Sequence, residues 1–494
     1  MRRTKILATI GPVSESPSRL ARMVAAGADA FRLNCSHGSD AEHRAMLRAI
    51  RATFRRVRRE GAILADVQGP KIRLGEIAGS PITLKDNARW ILDDRSEPGG
   101  TARAPVEVPH LRRAARQGDP ILIGDGAVEL RVDDVGSHRI TTTVVHGGSV
   151  GSRAGIYFPN AHLSTSVLSR KDRHDIGVVV SEGIDFLGLS FVRDASDIEE
   201  ARRELARHPG GEDVGIVAKI ERAEALESLD AILKQADGVM VARGDLGIEV
   251  PLERLALEQK RILRAARTRG RFGIVATQML LSMVHSPRPT RAESTDVANA
   301  VLDGADAVML SEESAMGEYP VESVAWLDRI CGATETALEA GSPDSGDGES
   351  VPTALEESIA GAAVELSARL RAAAIVTPTH SGRTARLVAG WRPTCRVLAL
   401  SAVPATRRKL ALVWGVETES VPSRGNLDRI AEWGRRAARR HWVGPGPLVL
   451  TAGYPVEGRP TNLLTVVEGT PPRYGRRSRW APPEVGASTR PLRS

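Results

Sequence analysis

Eight short apolar runs rich in β-branched residues recur between Lys5 and Leu310, most of them separated by a stretch of helical periodicity. They are Lys5–Ile10, Ala30–Leu33, Ala62–Val67, Phe186–Phe191, Gly215–Ile220, Gly238–Ala242, Gly273–Ala276 and Ala307–Leu310. Segments such as Leu226–Gln235 and Leu257–Arg269 carry apolar residues at helical spacing. Alternation of strand and helix calls for parallel strands joined by crossover helices. Eight such units, in a span near the ~250 residues typical of that fold, predict a closed (β/α)8 barrel rather than an open doubly wound sheet.

The alternation breaks once. Between about Gly75 and Arg153 the runs ITLKDN, ARWILDD, DPILIGDG, VELRVDD and ITTTVVHGG follow one another closely, with turn residues and little helical pattern. This predicts a small all-β insertion after the third barrel strand. GSPDSGDGESVP at Gly341–Pro352 reads as a linker, and a further α/β module runs to about Val467. Residues 471–494 are rich in Pro, Arg and Ser and read as a disordered tail. The expected division is barrel over 1–74 and 156–340, β insertion over 75–155, α/β module over 353–470, and basic tail over 471–494.

The length of 494 residues suits several domains. No apolar run reaches the ~18 residues of a membrane span. The start, MRRTKILATIGP, lacks a small-residue cleavage site, unlike a secretory signal. Cys35, Cys331 and Cys395 lie far apart, which fits a reducing cytoplasm and no disulfide framework. The net charge of +7 invites a nucleic-acid reading. However, the tail holds six arginines and one glutamate, so +5 of that excess is local to it. Basic residues number 68, of which eight are lysines: Lys5, Lys71, Lys85, Lys171, Lys219, Lys234, Lys260 and Lys409. In so Arg-rich a chain, a lysine marks a place where a compact, tunable ammonium is wanted.

Functional groups of such a barrel collect where its strands end. The second run ends in Arg32-Leu33-Asn34-Cys35-Ser36-His37 and the third in Asp66-Val67-Gln68. The fifth ends in Lys219-Ile220-Glu221, the sixth in Arg243-Gly244-Asp245, the seventh in Thr277-Gln278 and the eighth in Ser311-Glu312-Glu313. Glu221 and Asp245 end adjacent strands. Two carboxylates with room for substrate oxygens suit Mg2+ or Mn2+, and salt bridges to Lys219 or Arg243 are the competing reading. Lys219 and Glu221, two residues apart, point the same way, which poises an ammonium over a phosphoryl group or enolate. Arg32 and Arg73 can grip phosphate or carboxylate, and Gly244-Asp245-Leu246-Gly247 offers backbone N–H groups. His37-Gly38 reads equally as a helix entry. Metal, cations and backbone donors together suggest phosphoryl transfer.

RRTKILATIGP, RLNCSHG, GPKIR, LSFVR, VAKIE, VMVARGDLGIEVP, ATQMLLSM and PTRAESTDVANAVLDGADAVMLS resemble pyruvate kinase, in its order, over about residues 2–320. THSGRTA and GRPTN extend the likeness to about Val467, and IGDGAV resembles the family's lid motif around Asp125. The resemblance implies a TIM barrel with an inserted β-barrel lid and a C-terminal regulatory domain. It implies transfer of phosphate from phosphoenolpyruvate to ADP, giving pyruvate and ATP, at the last step of glycolysis. Arg32 would bind the substrate phosphate. Lys219 would stabilise the phosphoryl group and the enolate, and Glu221 and Asp245 would ligate the divalent metal. Gly244, Asp245 and Thr277 would bind the substrate carboxylate. Thr277 and Ser311 would relay a proton, while Asn34, His37 and Arg73 would meet nucleotide phosphates. A cytoplasmic homotetramer is expected.

Departures carry information. Where the family commonly reads DTKGPEIRT, this chain has Asp66-Val67-Gln68-Gly69-Pro70-Lys71-Ile72-Arg73-Leu74. In potassium-requiring members Asn34, Ser36, Asp66 and the carbonyl at 67 would surround K+. Lys71 replaces a glutamate there, as in the potassium-independent branch, so activity without K+ is expected. Ala154 replaces a lysine expected on the nucleotide, with Arg153 beside it. Glu312 replaces a glycine and would weaken anion binding unless it points away. These changes motivate an alternative: a barrel of this kind acting on phosphoenolpyruvate or pyruvate with another acceptor. A catalytically dead RNA-binding barrel is disfavoured, because Lys219, Glu221 and Asp245 are all present. Thr377, Thr379, Ser381, Gly382, Arg383 and Thr384 form a candidate loop for a phosphorylated effector, with a plain helix cap as the competing reading.

Overall fold

A computed structural model describes residues 2–106, 111–124, 126–159, 166–341, 354–423, 425–441, 443–453 and 461–469. Eight parallel strands close into a barrel: Lys5–Ile10, Ala30–Asn34, Ala62–Asp66, Phe186–Leu189, Gly215–Ile220, Gly238–Ala242, Phe272–Ala276 and Ala307–Leu310. The first pairs with both the second and the eighth, which completes the ring. All eight expected runs are strands, with ends shifted by no more than two residues.

The barrel is filled rather than hollow. Leu7, Leu64, Val217, Met240, Ile274 and Met309 point inward around Phe186 and Phe272, whose rings meet edge to face at 5.1 Å. Gly238 is required by that plug, since a Cβ there would lie 2.5 Å from the Phe272 ring. An outer apolar layer packs the helices onto the strands. Helix starts are fixed by reciprocal capping boxes at Ser39–Glu42, Ser169–Asp172 and Thr290–Glu293. The single helix expected over Leu226–Gln235 is two, Ala223–Glu227 and Leu229–Gln235. The break is at Ser228, whose carbonyl accepts from both Ala231 and Ile232.

The insertion between the third and fourth barrel strands is all β. Its six-stranded sheet runs, in spatial order, Ile156–Tyr157, Pro120–Ile123, Val128–Val135, Arg139–His146, Arg89–Asp93 and Arg103–Pro105. Ile82–Leu84 pairs with Gly148–Val150, and both sheets enclose a core around Trp90. The C-terminal module has a five-stranded sheet ordered Val416–Ser420, Arg396–Ser401, Ala374–Pro378, Leu448–Ala452 and Leu463–Val467, the last antiparallel. It docks on the foot of the barrel, opposite the mouth: one apolar cluster runs from the barrel interior to Leu410 and Leu412. Lys5 is absorbed here, its Nζ 2.9 Å from the Val416 carbonyl. The linker beyond Gly341 and the basic tail fall outside the described residues, as does Asp125.

Candidate active site

The fifth strand delivers Lys219 and Glu221 to the barrel mouth. Lys219 Nζ lies 2.9 Å from Glu221 Oε1, 3.3 Å from Asp66 Oδ1 and 2.7 Å from Ser190 Oγ. Asp66, at the end of the third strand, also holds Arg32: Nε and Nη2 reach its Oδ2 at 2.7 and 2.6 Å. Arg32 Nη1 donates to Thr9 Oγ1 at 3.2 Å. Two cations thus share one buried carboxylate. Burial alone would neutralise Asp66, but Lys219 and Arg32 outweigh it and hold the carboxyl below its ordinary range. Burial likewise opposes the Lys219 charge, yet Asp66 and Glu221 raise its pKa well above the usual lysine value. The two carboxylates thus favour the charged form of the ammonium.

Glu221 is raised, chiefly by burial, with Lys219 opposing and the charge of Asp245 adding to the rise. Its Oε2 accepts the Phe191 N–H at 2.7 Å. Asp245 stands beside Glu221, on the short helix Arg243–Glu249 that follows the adjacent sixth strand. Burial pushes its carboxyl up, but Lys71, Tyr157 and Lys219 outweigh it and hold it below the ordinary range. Lys71 Nζ lies 3.2 Å from Asp245 Oδ1, and the Tyr157 hydroxyl donates to the same oxygen. Arg243 pairs instead with Asp296, at 2.7 Å. Among the described residues no group of three or more His, Cys, Asp or Glu side chains could hold a metal by itself. Two mutually repelling carboxylates facing one space do fit a hard divalent cation that draws its other ligands from substrate and water.

The seventh and eighth strands place Thr277 and Ser311 on adjacent ends. Thr277 Oγ1 accepts the Gly244 N–H at 3.0 Å and donates to the Ala276 carbonyl at 2.6 Å. The Gly244 donor is thereby engaged. Thr277 and Gln278 both have left-handed backbones, φ 70° and 54°, as does Phe191 at 55°. Three non-glycine residues in that region, all at the mouth, are a strain signature of functional sites. The Ser311 N–H donates to Glu313 Oε2 at 2.7 Å, and Glu313 Oε1 accepts from Leu280 at 3.0 Å. Glu313 is the buried member of that acidic pair, and Glu312 is exposed.

The remaining candidates spread along the rim. Asn34 Oδ1 accepts the Ser36 N–H at 3.2 Å, and the Val67 carbonyl accepts from Ser190 Oγ at 2.7 Å. Lys71 Nζ reaches Asp245 Oδ1 and, among the described residues, makes no hydrogen bond to Asn34, Ser36, Asp66 or Val67. His37 is exposed on the loop after the second strand. Arg73 sits at the root of the insertion, Nη1 3.1 Å from the Arg153 carbonyl, while Arg153 pairs with Glu76 at 2.7 Å. Ala154 packs on the core of the insertion. In the C-terminal module Gly382 takes φ 81° before the helix Arg383–Gly390, and its N–H donates to Thr379 Oγ1 at 2.9 Å. Thr377 is buried, Ser381 is exposed, Arg383 pairs with Glu356, and Thr384 meets Thr461 at 2.7 Å.

Ser190 and Tyr157 are residues that strand-end reasoning passed over, and Glu313, noted only as part of a strand end, was given no role. Ser190 had a signal, because it lies within LSFVR at the end of the fourth strand. Tyr157 had none before its strand was placed.

A closed parallel barrel with a clasped lysine, two facing carboxylates and an all-β insertion rooted at its mouth defines a barrel phosphotransferase of the metal-assisted kind. Family models for the pyruvate kinase barrel domain and α/β domain match residues 1–324 and 357–467. A pyruvate kinase of Geobacillus stearothermophilus is 41% identical over 470 residues, covering 94% of this chain and 80% of that one. One from Mycobacterium intracellulare is 39% identical over 468 residues, covering 94% and 98%. The crystal structure of a pyruvate kinase from Cryptosporidium parvum superimposes with a TM-score of 0.87 at 32% identity, covering 95% of this chain and 96% of that one. This chain belongs to the pyruvate kinase family.

Proposed function

We propose that the barrel mouth is where phosphoenolpyruvate passes its phosphoryl group to ADP, with Lys219 at the centre of the transfer. The observation that carries this is the clasp on Lys219: an ammonium on a half-buried side chain, held by Asp66, Glu221 and Ser190. Such a fixed cation stabilises charge that develops on the moving phosphoryl group and on the enolate oxygen left behind, without reorganising. Arg32, braced by Asp66 and Thr9, turns its guanidinium to the substrate phosphate. Glu221 and Asp245 would hold Mg2+ or Mn2+, which when bound neutralises substrate oxygens. Gly244, Asp245 and Thr277 meet the substrate carboxylate, the Gly244 N–H leaving Thr277 Oγ1 to do so.

The enolate formed by loss of phosphoryl must gain a proton at its terminal carbon to become pyruvate. Thr277 and Ser311, whose strands are neighbours in the barrel, deliver it. The phosphoryl group ends on a terminal oxygen of ADP, whose phosphates meet Asn34, His37 and Arg73 on the rim. The ammonium of Lys71 supplies positive charge at the mouth, and K+ is not required. Residues 75–155 form the lid, whose sheet also takes in the strand Ile156–Tyr157; 1–74 and the rest of 156–340 form the barrel, and 353–470 a regulatory domain. There the loop Thr377–Thr384 takes a phosphorylated effector. The family resemblance further favours a cytoplasmic homotetramer, which light scattering would test. Among the described residues no helix is long and apolar enough to cross a membrane. An assay with phosphoenolpyruvate, ADP and Mg2+, coupled through lactate dehydrogenase, should report pyruvate. Pyruvate at background level would overturn the reading.

A further inference from the structure

The two chain segments that join the insertion to the barrel run side by side. Leu74 N–H donates to the Ala154 carbonyl at 2.9 Å and Ile156 N–H to the Ile72 carbonyl at 3.2 Å, so they form a short antiparallel ribbon. Each segment sends one donor to the same atom: Lys71 from the outgoing strand and Tyr157 from the returning strand both reach Asp245 Oδ1. The Lys71 ammonium also lies over the Tyr157 ring, 5.3 Å from its centroid, which keeps the two donors together. Gly155 makes room for this arrangement, since a Cβ there would lie 3.2 Å from Lys71 Cε. Tyr157 is buried, so its hydroxyl has little freedom to leave. Among the described residues Asp245 Oδ2 takes no hydrogen bond, which leaves that oxygen for a cation.

We propose that Tyr157 is a positioning residue for the divalent ion: by occupying Asp245 Oδ1 it turns Oδ2 toward the space shared with Glu221. The inference rests on the reading of Glu221 and Asp245 as metal ligands. Donors behind a ligating carboxylate typically change metal affinity by about 10–100-fold. Because the phenol sits on the returning strand, the ribbon also ties the metal ligand mechanically to the root of the insertion.

The test is equilibrium Mn2+ binding to the full chain without substrate, read from the electron paramagnetic resonance of free Mn2+. Tyr157→Phe should bind Mn2+ about tenfold more weakly than wild type, with an unchanged urea midpoint in EDTA. Gly155→Ala, which crowds Lys71 while retaining both donors, should weaken binding by a smaller factor. Glu221→Gln and Asp245→Asn should each lose most of the binding. If those two bind like wild type, the metal reading itself fails. If they lose Mn2+ while Tyr157→Phe binds as tightly as wild type or more tightly, the positioning role alone is overturned. Unchanged binding in Gly155→Ala also counts against it, and stands as the measurement should Tyr157→Phe not fold.

Discussion

Lys219 Nζ and Glu221 Oε1 lie 2.9 Å apart at the end of the fifth barrel strand, two residues apart in sequence and on one face of the chain. Successive strand residues alternate faces, so this pairing is a direct consequence of the spacing. It places the cation assigned to phosphoryl transfer against a carboxylate assigned to the metal. Lys219→Met should remove the first function and leave the second. Turnover in the coupled assay should fall by about 10³-fold or more, while Mn2+ binding stays within a few-fold of wild type. Retained turnover would remove Lys219 from its role.

Asp66 has a different kind of importance, because it is buried and neutralises both Arg32 and Lys219. Asp66→Asn keeps the shape and removes the charge, leaving two half-buried cations with one counter-ion fewer. Removing one partner of a buried ion pair costs about 3–5 kcal/mol. A lowered urea midpoint together with a raised KM for phosphoenolpyruvate is expected. A loss of stability with unchanged KM would make Asp66 purely structural.

The apolar runs made the barrel legible because strands buried on both faces write themselves as unbroken β-branched stretches. The site was legible where chemistry sits at a strand end, as with Lys219, Glu221, Asp245 and Thr277. It was not legible where a contact depends on two distant segments meeting. Lys71 reads as a cation beside Asn34, Ser36 and Asp66 in sequence, yet the ribbon carries it to Asp245. Tyr157 acquires its meaning from the same ribbon. The left-handed backbones of Phe191, Thr277 and Gln278 were hidden too, because no glycine announces them.

The position of Lys71 bears on monovalent cations. Its ammonium adds positive charge at the mouth where potassium-requiring relatives are expected to carry a glutamate. Initial rates in a tetramethylammonium buffer with Mg2+ should change by less than about twofold on adding KCl or NH4Cl, that is, by under half a kcal/mol. A hundredfold rise would show that the ammonium does not replace K+.

Glu249 closes the helix that carries Asp245, with its side chain 3% exposed and Arg222 Nη1 3.2 Å away. Burial pushes its carboxyl from the ordinary 4.5 up to about 7, against Arg222 and with help from Glu224 and Asp245. The folded chain thus holds this proton more tightly than the unfolded chain. The stabilisation is complete below about pH 4.5 and is lost as the pH rises through about 7. Glu249→Gln cannot ionise and should escape that loss. Its stability relative to wild type should improve by on the order of 1–3 kcal/mol between pH 5 and pH 8. Parallel urea midpoints at both pH values would refute the assignment.

Glu312 and Glu313 are adjacent carboxylates at the end of the eighth strand with opposite fates. Glu312 is exposed and Glu313 is buried, pinning the N–H groups of Ser311 and Leu280. A carboxylate beside an anion site weakens binding only if it faces the site. Glu312→Gly should therefore leave the KM for phosphoenolpyruvate within about twofold of wild type, a change of less than half a kcal/mol. Glu313→Gln puts an amide where two backbone donors converge, so one N–H keeps a neutral acceptor, the other faces an NH2 donor, and the Ser311 turn loosens. If Ser311 belongs to the proton relay, kcat should fall more than kcat/KM for the Mg2+ complex. A solvent deuterium isotope effect on kcat should also grow as proton delivery becomes limiting. The reverse pattern, a large KM change in Glu312→Gly and none in Glu313→Gln, would mean that the exposed carboxylate turns inward when substrate binds.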